Sequence, residues 1–204
     1  MADLLLYHAA PSRSATVRWM LEEVGEPYDI HLLKLSEGDQ QKPDYLAVNP
    51  QGKVPALRHK GVVITEVAAI CTYLADEFPK AGLSIPIGHP QRGIYLQWLF
   101  FGPSCMEPAI TDRAFPRKDP PRAAAVGYRD ADSLADIVAK AVAKGPYLMG
   151  EQFTAADVVV GSAVRWGTMF KIFPERDAFK PYIERIAARP AMQRAEAKDQ
   201  ALAA

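Results

Sequence analysis

The chain has 204 residues, enough to bury a substantial core as one large domain or two small ones. Its 24 Lys and Arg balance 24 Asp and Glu, so net charge points neither to nucleic acid nor to an acidic tail. Apolar residues make up 49% of it, yet runs such as residues 158–160 fall far short of the ~18 needed to span a membrane.

Residues 4–6 are too short for a leader peptide and no basic segment precedes them, so the expected location is cytoplasmic. Cys71 and Cys105 lie far apart in apolar helical patterns and are expected as two buried free thiols.

Residues 3–8 read as a short buried strand, followed by a loop over 9–14. Residues 15–24 have helical spacing, with Val17, Leu21 and Val24 on one face and Gly25 as the stop. Tyr28, Ile30 and Leu32 alternate with their neighbours as a second strand does. A polar connection, 36–42, leads through Pro43 to Tyr45 and Leu46.

Residues 49–76 are the most informative stretch. A turn (Asn49, Pro50, Gly52) precedes an extended segment entered through Val54–Pro55. A polar hairpin over 58–61, an apolar run over 62–64 and a helix opened by Thr65 and Glu66 follow. Proline cannot donate a ladder hydrogen bond. A cis peptide at Val54–Pro55 is one resolution, and it leaves the Val54 backbone facing outward. Such an amide and carbonyl beside a helix N-terminus suit a small peptide carrying a carboxylate. The helix, 66–78, sets Val67, Ile70, Cys71, Leu74 and Phe78 on one face. The order so far is that of a small α/β unit.

A proline- and glycine-rich linker covers 79–90, and the remainder reads as helical. An aromatic-rich helix over 91–109 is expected to bend near Gly102 and Pro103, and a second is expected over 122–144. Thr154 and Asp157 form a capping box, flanked by Phe153 and Val158 at the hydrophobic-staple positions. Shorter helices are expected near 178–188 and 190–198.

Ser12 and Ser14 lie where the first strand gives way to a helix, whose N-terminus favours an anion. Ser14 also reads as a plain helix cap. No sequence neighbour has the look of a general base, which argues against a serine nucleophile. A hydroxyl that donates to a bound thiolate needs no base; it lowers the thiol pKa from its ordinary ~8.5. The loop has no Cys-x-x-Cys, so dithiol chemistry is not expected. His8, His31, His59 and His89 lack ligand spacing, so no metal is expected. Arg18 and Glu22 read as an i,i+4 surface salt bridge.

Six blocks in order carry a family likeness: LYHAAPSRS (6–14), VRWMLEEVG (17–25), YLAVNPQGKVPAL (45–57), ITEVAAICTYLAD (64–76), YLMGEQFTAADV (147–158) and RPAMQRA (189–195). Over nearly its whole length the chain resembles the cytosolic glutathione S-transferases, in a bacterial style near the serine-type or beta-like branches. The resemblance implies a thioredoxin-like domain (β-α-β-α-β-β-α) over 1–79, a linker over 80–89, an all-α domain over 90–204 and a homodimer. It implies glutathione as co-substrate, with Val54 before cis-Pro55 pairing with its cysteinyl backbone. Glu66 and Val67 would take the γ-glutamyl end, and Lys53 would lie near a carboxylate.

Three departures from the family pattern matter. Val67 stands where serine is common, so only its amide can serve. Gln40 and Gln41 stand where many relatives have a His–Lys pair, and Gln40 brings no charge to the glycyl end. The residue facing the sulfur is Ser12 first and Ser14 second, with Arg13 also adjacent. Tyr95, Trp98, Phe101, Met106, Trp166 and Phe170 are candidates for an electrophile pocket between the first loop and the helical domain. The implied reaction is attack of the glutathione thiolate on a small hydrophobic electrophile, as in detoxification. The alternatives are a glutathione-dependent isomerase, reductase or thiol-disulfide exchange enzyme, or a non-catalytic binding protein of the same fold.

Overall fold

A computed structural model describes residues 2–203. Contacts divide the chain into a first unit, running to Ala81 and resuming at Arg189, and a second unit, Gly82–Ala188.

In the first unit four strands, among the described residues, form a sheet in the order β2-β1-β3-β4. β1 (Leu4–His8) runs parallel to β2 (Tyr28–Leu32), pairing Leu4 with Tyr28 and His8 with Leu32. β3 (Ala56–His59) is antiparallel to β1, and β4 (Val62–Thr65) is antiparallel to β3. Their hairpin turns on Lys60 and Gly61, at φ 50° and 77°, as a two-residue turn demands. Arg58 and His59, expected in the turn, are ladder residues instead.

Strand alternation divides β1 between two faces. Tyr7 joins Leu33, Tyr45 and Ala56 in a core cluster, while Leu4, Leu6 and His8 are buried on the other face. α1 (Ser14–Val24) ends at Gly25, φ 81°, whose amide donates to the Leu21 carbonyl. Two 3-10 turns, Leu35–Glu37 and Asp39–Gln41, fill the polar connection before α2 (Pro43–Leu46). α3 (Val67–Glu77) buries Ile70, Cys71 and Leu74 as its periodicity required.

The expected surface pairing of Arg18 with Glu22 fails in the first unit. Arg18 and Glu22 do not pair on the surface; both are buried, and each binds α9 (Pro190–Ala203). Arg18 Nη1 lies 2.5 Å from Asp199 Oδ1. Glu22 accepts from Arg194 Nε at 2.9 Å, from Tyr28 Oη at 2.5 Å and from Lys198. Glu23 takes a two-pronged bond from Arg189, at 2.6 and 2.7 Å. α9 therefore packs on α1, and its contacts group it with the first unit. Its partners lie more than 160 residues away in sequence, so local spacing could not reveal them.

In the second unit, α4 (Arg92–Phe101) and α5 (Glu107–Ala114) are joined by a π-helical segment, Gly102–Met106, which is the expected bend. A Cβ at Gly102 would stand 2.9 Å from Val159 Cγ1, so only glycine admits this approach to α7 (Ala155–Met169). The helix expected over 122–144 is shorter. A 3-10 turn at Ala123–Ala125 gives way to α6 (Ala131–Val142), capped by Asp130, whose carboxylate accepts the Ser133 amide at 2.9 Å. α8 (Phe179–Ala187) follows. The capping box forms: Asp157 Oδ2 accepts the Thr154 amide at 3.0 Å. Asp157 also accepts from the Leu148 amide and from Tyr182 Oη. Of the two thiols, Cys71 is buried as expected, whereas Cys105 is only half-buried, its Sγ 3.7 Å from the Gly127 carbonyl.

Candidate functional site

The loop between β1 and α1 brings Ser12 and Ser14 together, and it closes through a cis peptide at Ala10–Pro11. Ser12 is half-buried, whereas Ser14 has no exposed surface. Ser12 Oγ accepts the Ser14 amide at 3.1 Å and lies 2.6 Å from the Ala9 carbonyl and 2.8 Å from Ser14 Oγ. Ser14 Oγ accepts the Ala9 amide at 3.1 Å and sits 2.9 Å from His8 Nδ1. So Ser14 is saturated inside the unit, and Ser12 presents the hydroxyl that a ligand can reach. Arg13, between them, is exposed as the N-terminal flank of α1.

No general base was expected beside these serines, yet the His8 ring stands against Ser14. Period-two alternation in β1 sets it on the same face as Leu4 and Leu6, under α1, and that was the available signal. Its other nitrogen, Nε2, is 3.1 Å from Asp199 Oδ1 on α9. Burial pushes the Asp199 carboxyl up, but His8 and Arg18 together pull it below the usual range, so it is anionic.

The second half of the site is the stretch around Pro55. Val54–Pro55 is cis. Asn49, itself buried, forms an Asx turn to the Gln51 amide and donates Nδ2 to the Lys53 carbonyl at 2.7 Å. Tyr45 Oη donates to the same carbonyl at 2.6 Å, and burial raises that hydroxyl to about 12, so it keeps its proton. Both lone pairs of the Lys53 carbonyl are thereby used, which fixes the peptide leading to Val54. β3 begins at Ala56, so the Val54 amide and carbonyl lie beyond the ladder. The Lys53 side chain is exposed and Pro55 is buried.

Glu66 precedes α3 at φ 70° and ψ 121°, a left-handed conformation that costs a non-glycine residue of order 1 kcal/mol or more. Its side chain is exposed and accepts from Gln51 Nε2 at 3.4 Å. Val67 opens α3, so its amide belongs to the first turn, where amides lack intrahelical partners. Gln40 lies in the Asp39–Gln41 turn, and its Oε1 is buried with no hydrogen-bond partner among the described residues. Gly52, at φ 62°, lets that turn close on the loop carrying Lys53; a Cβ there would meet Gln41 Nε2 at 2.5 Å. Tyr45, Asn49 and Gly52 were not singled out as site residues, although they hold the ones that were.

A cleft of about 340 Å³ lies beside the serine loop, lined by residues 9–11, 32–36 and Leu202. None of the six aromatic and methionine candidates lines it. Tyr95, Trp98 and Met106 are buried core of the helical unit, and Trp98 packs edge-on against Phe101. Phe170 is exposed and stacks obliquely on Trp166. Among the described residues no three His, Cys, Asp or Glu side chains group as a metal site, and no helix is long and apolar enough to cross a membrane.

Comparison with known proteins matches residues 12–77 to the glutathione S-transferase N-terminal domain and residues 108–190 to the C-terminal domain. Glutathione S-transferase GstA of Escherichia coli O157:H7 is 31% identical over 168 residues, covering 81% of each chain. Disulfide-bond oxidoreductase YfcG of Escherichia coli K12 is 29% identical over 209 residues, covering 96% of this chain and 95% of that one. The crystal structure of a Sulfitobacter glutathione transferase homolog with bound glutathione superimposes with a TM-score of 0.80 at 26% identity, covering 97% and 99%.

Proposed function

Because the chain belongs to the glutathione S-transferase family, with its thioredoxin-like and helical domains, we propose that it binds glutathione and activates the thiol through Ser12. The observation that carries this reading is the half-buried Ser12 hydroxyl, polarised by the Ser14 amide at 3.1 Å. Oriented toward a sulfur, it stabilises the thiolate by a charge-assisted hydrogen bond. The peptide is held by the Val54 backbone, the first-turn amide of Val67 and the strained Glu66. Lys53 lies near a carboxylate of the peptide, and Gln40 lies at its glycyl end, where the unpartnered Oε1 can accept from a peptide N–H. Arg13 adds positive charge beside the loop. A solved relative with bound glutathione supports the choice of ligand.

The thiolate then attacks a small hydrophobic electrophile. Leu32, Leu33, Leu35 and Leu202 give the cleft beside the loop an apolar wall for it. Positioning and electrostatic stabilisation supply the rate, with no covalent enzyme intermediate. The protein works in the cytoplasm as a homodimer, which fractionation and light scattering check.

Ser12→Ala tests the reading. The pKa of the bound thiol should rise by one to two units, each worth about 1.4 kcal/mol, and conjugation should slow accordingly. An unchanged thiol pKa and rate would remove Ser12 from the mechanism; the same effect in Ser14→Ala alone would transfer the role. A second reading, glutathione-dependent disulfide exchange, is favoured by the likeness to the oxidoreductase YfcG. There glutathione supplies both thiols, since the loop has no cysteine. Turnover of a mixed disulfide without thioether formation would select it. Retention of glutathione without turnover on any electrophile or disulfide would select a binding role.

A further inference from the structure

Ser12, Ser14, His8 and Asp199 form a continuous polar chain from the loop surface into the core of the first unit. The steps are 2.8 Å between the two hydroxyls, 2.9 Å to His8 Nδ1, and 3.1 Å from His8 Nε2 to Asp199 Oδ1. His8 and Ser14 have no exposed surface, so their polar atoms answer to their neighbours rather than to bulk water; the Ala9 carbonyl also accepts from Ser12 Oγ at 2.6 Å and from Ser14 Oγ at 3.0 Å, and each hydroxyl turns from it when the relay forms. Two further facts set its direction. Asp199 is anionic and stands beside Nε2, which draws the ring proton to Nε2 and leaves Nδ1 as an acceptor. Nε2 is buried and faces Asp199 Oδ1 at 3.1 Å, so that carboxylate is the anion beside the ring.

Building on the glutathione reading above, we propose that His8 holds the proton the bound thiol gives up, acting through Ser14 and Ser12, with Asp199 as its counter-ion. Ser12 Oγ accepts the thiol proton and passes its own to Ser14 Oγ, and Ser14 passes its own to His8 Nδ1. One S–H bond is broken, one N–H bond is formed, and the sulfur keeps the electron pair. Each hydroxyl is reversed by the transfer: His8 now donates to Ser14, Ser14 to Ser12, and Ser12 to the sulfur. The same event therefore creates the thiolate and turns Ser12 into its donor. The site's net charge is unchanged, because the imidazolium formed matches the thiolate. The charged groups facing this chain are Asp199 from α9 and Arg18 from α1, which holds Asp199 at 2.5 Å. His8 and Asp199 touch no substrate; they are positioning residues for Ser12. α9 thus contributes to the reaction although it lies at the far end of the chain from the loop.

Proton accounting separates this role from that of a packed core histidine. Glutathione is titrated into the wild-type protein near neutral pH in buffers of different ionisation enthalpy, while ultraviolet absorbance reports the thiolate formed. The expected result is thiolate formation with few protons released to buffer. His8→Gln should then either lose the thiolate by about tenfold, one pKa unit, or release its proton to buffer. Asp199→Asn, which keeps His8 and α9 in place, should move the same readouts less, lowering kcat with little change in KM. Wild-type release of one proton per thiolate overturns the proposal, as does a His8→Gln protein that forms as much thiolate as wild type and still releases few protons to buffer. If His8→Gln does not fold, the wild-type count and Asp199→Asn decide. Failure of the wild type to bind glutathione at all overturns the underlying reading and this inference together, whereas binding with full proton release overturns this inference alone.

Discussion

Glu22 on α1 and Asp157 on α7 are both nearly closed to solvent, at 6% and 0% exposure, and both tie helices together. Their surroundings are opposite. Burial pushes the Glu22 carboxyl up, but Lys198, Tyr28 and Arg194 outweigh it and hold the group below its ordinary range. Asp157 is bound only by neutral donors, namely the Leu148 and Thr154 amides and the hydroxyls of Tyr182 and Thr154. Burial dominates there and raises it from 3.8 to about 6. The first unit uses charge to dock its last helix; the second uses neutral hydrogen bonds to start α7. What a buried carboxylate does in acid follows from its neighbours more than from its depth.

The largest break in this comparison comes from Asp157→Ala, which strands two buried amides and the Tyr182 hydroxyl. It should cost about 3–4 kcal/mol, read from the denaturant midpoint. The pH profile sharpens the contrast. Asp157 has a raised folded pKa, so its contribution is full below its unfolded value of 3.8 and is lost as pH rises through about 6. The two-unit shift corresponds to roughly 2–3 kcal/mol, and Asp157→Asn should flatten the profile over that window. Glu22 and Asp199 have lowered folded pKa values, so their contribution is present above the normal carboxylate range and is lost as pH falls through the folded values. Glu22→Gln should remove part of that acid loss. It should cost about 1–2 kcal/mol, because Arg194 and Lys198 are half exposed and find water instead. Faster hydrogen exchange confined to α9 would locate the effect. Smallest is Asp130→Ala, which removes an exposed cap from α6 and should cost about 1 kcal/mol, with a lower melting temperature as the measure.

Much of the fold was legible because its signals are local. The 49–76 stretch declared its turn, its proline and its helix start through residue types that few other conformations accept. The Thr154–Asp157 box did the same for α7. The helix expected from residue 122 failed because alanine-rich spacing looks helical whether or not a cap starts it; Asp130 is the cap that does. The candidate site was legible in part. Ser12 and Ser14 could be named from the loop, but their exposures could not, and those distinguish them.

By itself the sequence determined the order of elements, the family and the loop that carries the hydroxyls, since each rests on residues within a few positions of one another. Only the tertiary structure decided that Arg18 and Glu22 face α9 rather than water, and that a histidine backed by Asp199 stands under Ser14. The contacts to α9 join residues more than 160 positions apart, and their strength comes from removal from water, which no local spacing encodes.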